Sequence, residues 1–203
     1  MENDDFVEKI KEFYTFLTDE TGHNESNTIY LKLFSKLQIQ IEGWFRGELM
    51  TYLERKKIEM KVENREVRIS NTERKKVDLK IKINNRYYWI ELKHILVGSQ
   101  GNNNSNNYCI NFYFNKNTYI DNDIQKLKKT EDKEPDSDVS RYCLVFLSTN
   151  NEGKIAKIES KKDLDSKVNE ELENRQYKSS VELIHCDYEL ALHFGYFLLK
   201  VEK

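Results

Sequence analysis

Long apolar runs, paired cysteines and glycine-rich phosphate loops are all missing from this chain. Its 203 residues include one proline, seven glycines and three cysteines. No stretch approaches the roughly 20 apolar residues needed to cross a bilayer. The start, MENDDFVEKIKEF, is acidic and amphipathic, where a signal peptide would have a basic start and an apolar middle. Cys109, Cys143 and Cys186 are widely spaced and form no CxxC pair, which favours reduced thiols over a disulfide framework or a zinc site. A cytoplasmic protein without a membrane partner is expected. His23, His94, His185 and His193 lack metal-ligand spacing. His94 is expected to pack in the core. With no Gly-rich loop and no GxSxG, NTPase and serine-hydrolase readings have no support.

Charge is abundant instead, and unevenly placed. Charged residues make up 33% of the chain, yet the formal net charge is only −2. Residues 1–53 carry 5 basic and 10 acidic groups, whereas residues 54–93 carry 13 basic and 7 acidic, an excess of about +6. A local basic surface is enough for phosphate contacts, because affinity follows the number of phosphates neutralised locally. Lys75 and Lys76 are expected to make such contacts.

The most informative segment lies within that basic stretch. Val77 to Ile95, VDLKIKINNRYYWIELKHI, reads as two strands joined by Asn84-Asn85. Val77, Leu79, Ile81 and Ile83 alternate with Asp78, Lys80 and Lys82. Tyr88, Ile90 and Leu92 alternate with Trp89, Glu91 and Lys93. A two-residue turn sets Ile83 against Arg86 and, counting back, Asp78 against Glu91. Side chains directly opposed have Cβ atoms about 4.5–5.5 Å apart, so two acids there repel unless a cation lies between them. Lys93 falls on the same face as Glu91. Hard oxygen ligands of this kind suit Mg²⁺ or Mn²⁺.

Asp78 followed by Glu91-Leu92-Lys93 resembles the catalytic signature of the PD-(D/E)XK nuclease superfamily, which includes restriction endonucleases, Holliday-junction resolvases and repair nucleases. The resemblance covers roughly Ile41 to Ile95, with Val77 in place of the proline that names the motif. Members commonly carry a further glutamate on the preceding helix, and Glu48 in GWFRGELMTYLERKK fits that position, with Glu42 as its rival. The resemblance implies an α/β fold, a restriction-endonuclease-like central mixed sheet of about five strands flanked by helices. It also implies metal-dependent hydrolysis of phosphodiester bonds, with DNA the expected substrate. Asp78, Glu91 and Glu48 would be the metal ligands, and Lys93 would orient or deprotonate water or stabilise the transition state. Partial burial and a nearby cation are expected to lower the Lys93 pKa. Asp123, Gln125 and Lys126 are similar to the DxxKL-type helix that follows the ExK strand in many relatives, although an exposed helix with Ile124 and Leu127 inward explains the same pattern. Many relatives dimerise, so a homodimer is a possible state. The alternative is a catalytically silent nucleic-acid-binding or assembly module on the same fold.

One domain, 1–203, accommodates all of this, with N-terminal helices in 1–40 and the nuclease-like core in 41–203. Residues 4–20 form an amphipathic helix through Phe6, Ile10, Phe13 and Leu17. A second helical region, 28–57, is expected to bend or break between Leu37 and Gly43. Strand-like runs follow at Ile58/Met60/Val62 and Val67/Ile69. The sequence then predicts a loop over Gly98–Asn107, a strand or irregular segment over Tyr108–Phe114 and a short helix over Asp121–Lys129. The charged loop EDKEPDSD comes next. YCLVFL at Tyr142–Leu147 is the candidate for a fully buried strand. A helix over 162–175 precedes apolar segments at Val181–Ile184 and Leu190–Val201.

Overall fold

Strands with apolar residues on both faces need cover on both sides, and helices supply it here. The protein is represented by a computed structural model that describes residues 4–19, 25–37, 39–58, 67–68, 76–99, 107–115, 119–129, 139–150, 157–177 and 179–203. Three helices come first: α1 (Asp5–Thr18), α2 (Glu25–Leu37) and α3 (Glu42–Arg55). They are followed by β1 (Val67–Arg68), β2 (Lys76–Val77), β3 (Leu79–Ile83), β4 (Arg86–Ser99) and β5 (Asn107–Tyr108). After α4 (Ile110–Tyr113) and α5 (Tyr119–Lys128) come β6 (Val139–Asn150), α6 (Lys161–Asn174), β7 (Val181–Glu189), a 3-10 turn (Leu190–Leu192) and β8 (Phe194–Val201).

Five strands form the main path of a mixed sheet in the order β3-β4-β6-β8-β7, with the short β5 paired to the far end of β4. Only β4 and β6 run parallel. The segment between them therefore has to cross over a sheet face, and α5 does so. On one face, Tyr88, Ile90, Leu92, Tyr142, Leu144, Phe146, Phe194, Tyr196 and Leu198 pack beneath α1, α2 and α3. Phe45 of α3 stacks on Phe146 with ring centroids 4.1 Å apart. The opposite face buries Trp89, Ile95, Val97, Cys143, Val145, Leu147, Phe197 and Leu199 against α4, α5 and α6. The result is an α/β architecture with an N-terminal helical segment, and no helix is long and apolar enough to cross a membrane among the described residues.

Local chemistry accounts for the element ends. Asp4 accepts the Phe6 N–H at 3.1 Å to cap α1, and Ser160 accepts the Asp163 N–H at 3.1 Å to cap α6. The hairpin has the expected register, Ile83 with Arg86 through Leu79 with Ile90. Asn84 and Asn85 hold φ of 49° and 67°, the left-handed pair of a type I′ turn. Asn85→Gly is expected to raise stability by roughly 0.5 kcal/mol, since glycine takes that conformation without a Cβ penalty. A thermal midpoint that stays level or falls would show that the asparagine side chain holds the turn.

The expectation for Tyr108–Phe114 needs correction, because a two-residue strand is followed there by the helical turn α4. The reason lies on β4. The Tyr113 hydroxyl donates to the Leu96 carbonyl at 2.6 Å and accepts the Leu96 N–H at 3.1 Å, replacing a missing strand neighbour. Met60, Val62 and Ile69, Lys75, residues 100–106 of the expected loop and the charged loop 131–138 lie outside the described residues.

Candidate functional site

The hairpin loses its regular ladder at Asp78, and that break builds the site. β3 begins at Leu79, so Asp78 is a bend residue standing beyond the Leu79–Ile90 pair. Val77 joins the core on the α5 side while Leu79 and Ile81 join the other, so the chain turns over between them. The expected single row Val77-Leu79-Ile81-Ile83 is thus interrupted. The freed Asp78 carboxylate takes over as an acceptor: one oxygen accepts the Leu92 N–H at 2.8 Å and the other accepts from the Arg46 guanidinium at 2.9 Å.

Glu91 and Lys93 point from β4 toward α5, because their parallel partners Cys143 and Val145 on β6 face the same core. Glu91 is only 2% exposed. One of its oxygens lies 2.6 Å from Lys126 Nζ, without an aligned donor for a proper hydrogen bond. Burial first, and Asp78 second, raise the Glu91 pKa to about 9 against the opposing effect of Lys126. Lys93 Nζ lies 3.2 Å from Asp123 and 3.6 Å from Glu42. Burial alone would lower its pKa, but Asp123 and Glu42 outweigh it and hold the ammonium above its ordinary range. That corrects the expectation of a lowered Lys93 pKa. Burial likewise raises Asp123 to about 6, with Lys93 opposing.

The remaining residues separate clearly. Glu42 and Arg46 are one turn apart on α3 and reach round the edge of β4 at the point where β3 has ended. Glu48 sits six residues after Glu42, about 240° further round the helix at 100° per residue. It follows Trp44 by one turn, on the flank where Trp44 packs against Phe34 of α2. Glu48 is half-buried, and among the described residues no hydrogen bond or ion pair joins it to Asp78, Glu91 or Lys93. The structure therefore gathers Asp78, Glu91 and Lys93 with Glu42, Arg46, Asp123 and Lys126. The DIQKL spacing carried a signal for Asp123 and Lys126, whereas Arg46 had none beyond its place one turn after Glu42. His94 lies on the other face of β4, buried, accepting the Ile41 N–H at 3.2 Å and 3.0 Å from the Ser148 hydroxyl. Burial lowers its pKa to about 3, so it is a neutral core histidine.

No protein-family model, curated protein or solved structure matches the chain. Among the described residues no group of three or more histidine, cysteine or acidic side chains is arranged to hold a metal ion. What the site does contain is buried carboxyl groups short of hydrogen bonds. The Glu91 and Asp123 oxygens nearest their lysines both lack an aligned donor. Asp78 and Glu91 are hard oxygen donors of the kind a divalent cation takes. Arg46 and Lys126 supply positive charge beside them.

The pairing of Asp78 also reverses an expected stability effect. Opposed acids alone would make Asp78→Asn stabilising in metal-free buffer. Because the carboxylate holds both Arg46 and the Leu92 amide, the change is expected to cost roughly 1–2 kcal/mol. Denaturant titration in EDTA checks the sign, and a gain in stability would mean that repulsion from Glu91 outweighs both contacts.

Proposed function

We propose that the protein is a metal-dependent nuclease of the PD-(D/E)XK type, hydrolysing phosphodiester bonds in DNA. The observation that carries this reading is Glu91, a carboxylate sunk beside Asp78 on the strand that also presents Lys93. A purely structural sheet gains nothing from holding two repelling acids there. The finer fold reading, restriction-endonuclease-like, has support in the order of parts. A helix bearing acid precedes the hairpin, the ExK strand follows, and the next helix sets Asp123 and Lys126 against Lys93 and Glu91.

Asp78 and Glu91 would hold Mg²⁺ or Mn²⁺, which when bound makes a water nucleophilic at neutral pH and offsets charge on the phosphate. Lys93, protonated and fixed by Asp123 and Glu42, places a positive charge where the phosphate gains negative charge. Its raised pKa makes it an electrostatic stabiliser instead of a base that removes a proton. Asp123 positions Lys93. Lys126 screens Glu91. Glu42 is the α3 acid that pairs with Lys93, at 3.6 Å, and takes the place in this reading that the resemblance gave to Glu48.

A second reading draws on the same ion pairs. Arg46 with Asp78, Lys126 with Glu91 and Lys93 with Asp123 neutralise the cluster internally. That arrangement suits a silent binding module, which needs no metal. Incubating the purified protein with plasmid, single-stranded and branched DNA in Mg²⁺, Mn²⁺ or EDTA separates the two. Cleavage that requires metal supports the nuclease, whereas salt-dependent binding without cleavage under any metal supports the module.

A further inference from the structure

Among the described residues seven large hydrophobic side chains stand exposed, and they are not scattered. Five of them, Ile29, Tyr30, Leu33, Leu37 and Ile39, lie on α2 or just beyond its end, each between 41% and 63% exposed. A sixth, Leu190, sits on the 3-10 turn that α2 holds down. There the Ser35 hydroxyl donates to the Leu192 and His193 carbonyls at 3.2 and 3.1 Å. The helical repeat explains the row. Thr28, Leu31 and Ser35 are buried on the inner side, while Ile29, Leu33 and Leu37 recur every four residues on the outer side. At 100° per residue, Lys32 and Lys36 border this row on one side and Tyr30 and Phe34 on the other. The two rings stack with centroids 6.0 Å apart. We propose that this outer face of α2 is where two copies of the chain pair, about a two-fold axis that sets their α2 helices parallel.

Area and charge both favour a second copy as the occupant. At roughly 200 Å² for a fully open side chain of this size, the five exposures leave about 500 Å² uncovered, the scale of the largest patch a monomer carries. Two copies face to face hide about 1,000 Å² before Leu190 and the lysine stems are added, close to the roughly 1,200 Å² at which specific interfaces begin. The face also complements itself. A two-fold axis parallel to the helices sets the lysine border of each copy against the aromatic border of the other, and an ammonium is drawn to a ring face. An antiparallel two-fold sets lysines against lysines. A net charge of −2 offers little resistance to association. An anionic membrane is the poorer partner, because residues 1–53 carry 10 acidic groups against 5 basic. Phe34 also packs on Trp44, so the paired face adjoins α3, the helix that carries Glu42 and Arg46. The pairing does not depend on the nuclease reading.

Sedimentation velocity of the full chain across a dilution series is the test. The wild type should pass from dimer to monomer with a Kd on the order of micromolar, in keeping with an interface at the small end of the specific range. I29Q/L33Q/L37Q removes three apolar side chains twice across the two-fold and should raise that Kd at least about a hundredfold. Its circular dichroism and its thermal midpoint at high dilution should match the wild type, because the replaced groups are exposed in the single chain. Y119Q removes the remaining exposed hydrophobic, on α5 across the sheet, and should leave the Kd unchanged. Orientation is read by C109S/L37C, which should cross-link to itself on oxidation, since equal heights meet on parallel helices. Antiparallel helices centred on Leu33 hold the two positions about 12 Å apart along the axis, beyond disulfide reach. A wild type that stays monomeric at the highest soluble concentration overturns the proposal. So does a dimer that I29Q/L33Q/L37Q leaves intact, or one in which C109S/L37C forms no disulfide. A monomer that pellets with phosphatidylserine vesicles through the same three residues overturns it as well, and assigns the face to a membrane.

Discussion

Lys93→Ala is expected to reduce phosphodiester cleavage by at least about a hundredfold, the scale of losing one transition-state stabiliser. Nucleic-acid affinity and metal binding should persist, since one ammonium among many basic groups contributes a single phosphate contact. The geometry sharpens this further. Lys93 is flanked by Asp123 at 3.2 Å and Glu42 at 3.6 Å, and these acids keep it protonated at neutral pH. If its work is electrostatic, Lys93→Arg should retain a measurable part of the rate, and the rate should show no ionisation near neutrality that belongs to residue 93. A base at this position would fail completely as arginine, because guanidinium does not give up its proton in proteins. An arginine variant as inactive as alanine, despite native metal binding, would count against the charge-stabilising role. The same substitution leaves Asp123 buried without its cation. The Asp123 pKa, already raised to about 6, should climb further in Lys93→Ala, and the carboxyl should meet neutral pH protonated.

Glu91→Gln should do two opposite things at once: abolish metal binding and cleavage, and stabilise the metal-free protein at alkaline pH. The first follows from removing a hard oxygen ligand. The second follows from proton linkage. Glu91 has a folded pKa raised from 4.5 to about 9, so between those values the folded protein binds more protons than the unfolded chain. Stability from this group is therefore complete below the ordinary carboxylate range and is lost as pH rises through the folded value. Glutamine carries no charge to bury and escapes that loss. The variant should gain roughly 1–3 kcal/mol over wild type near pH 9, the scale of relieving a buried unsatisfied group, with the gap closing toward pH 5. Thermal melts in EDTA across that range provide the check. Identical curves would mean that Glu91 stays ionised in the fold, with Lys126 a full partner at 2.6 Å. Metal binding should show the complementary trend, tightening as pH rises, because the ligand must shed its proton first.

Several features were legible in the chain because they depend on neighbours in sequence. The alternation in VDLKIKI and YYWIELK predicted the hairpin, and two asparagines that tolerate positive φ predicted its turn, so the register of Ile83 with Arg86 followed. Helical spacing of Phe6, Ile10, Phe13 and Leu17 marked α1, and the break expected between Leu37 and Gly43 falls where α2 ends and α3 begins. YCLVFL read correctly as a buried strand, because only a strand covered on both faces needs apolar residues at every position. Tyr108–Phe114 misled for the same local reason. Its aromatic residues suit a strand, but Tyr113 is used as a hydroxyl that completes the edge of β4, a need created elsewhere in the chain.

The acids and the lysine of the motif could be named from sequence, since two-residue spacing places Glu91 and Lys93 on one side of any strand. Which charges meet them could not. Asp123 and Lys126 reach Lys93 and Glu91 only because β4 and β6 run parallel, which obliges the intervening chain to lay α5 over that face. Glu42 and Arg46 pair with Lys93 and Asp78 because packing of Phe45, Leu49 and Leu53 on the sheet sets the rotation of α3, which the sequence alone did not give. The ionisation of Glu91 and Lys93 was hidden for the same reason. A pKa records burial and the charges within a few ångströms, and in this protein those charges lie from about thirteen (Asp78) to about fifty (Glu42) residues away along the chain, brought together only by the fold.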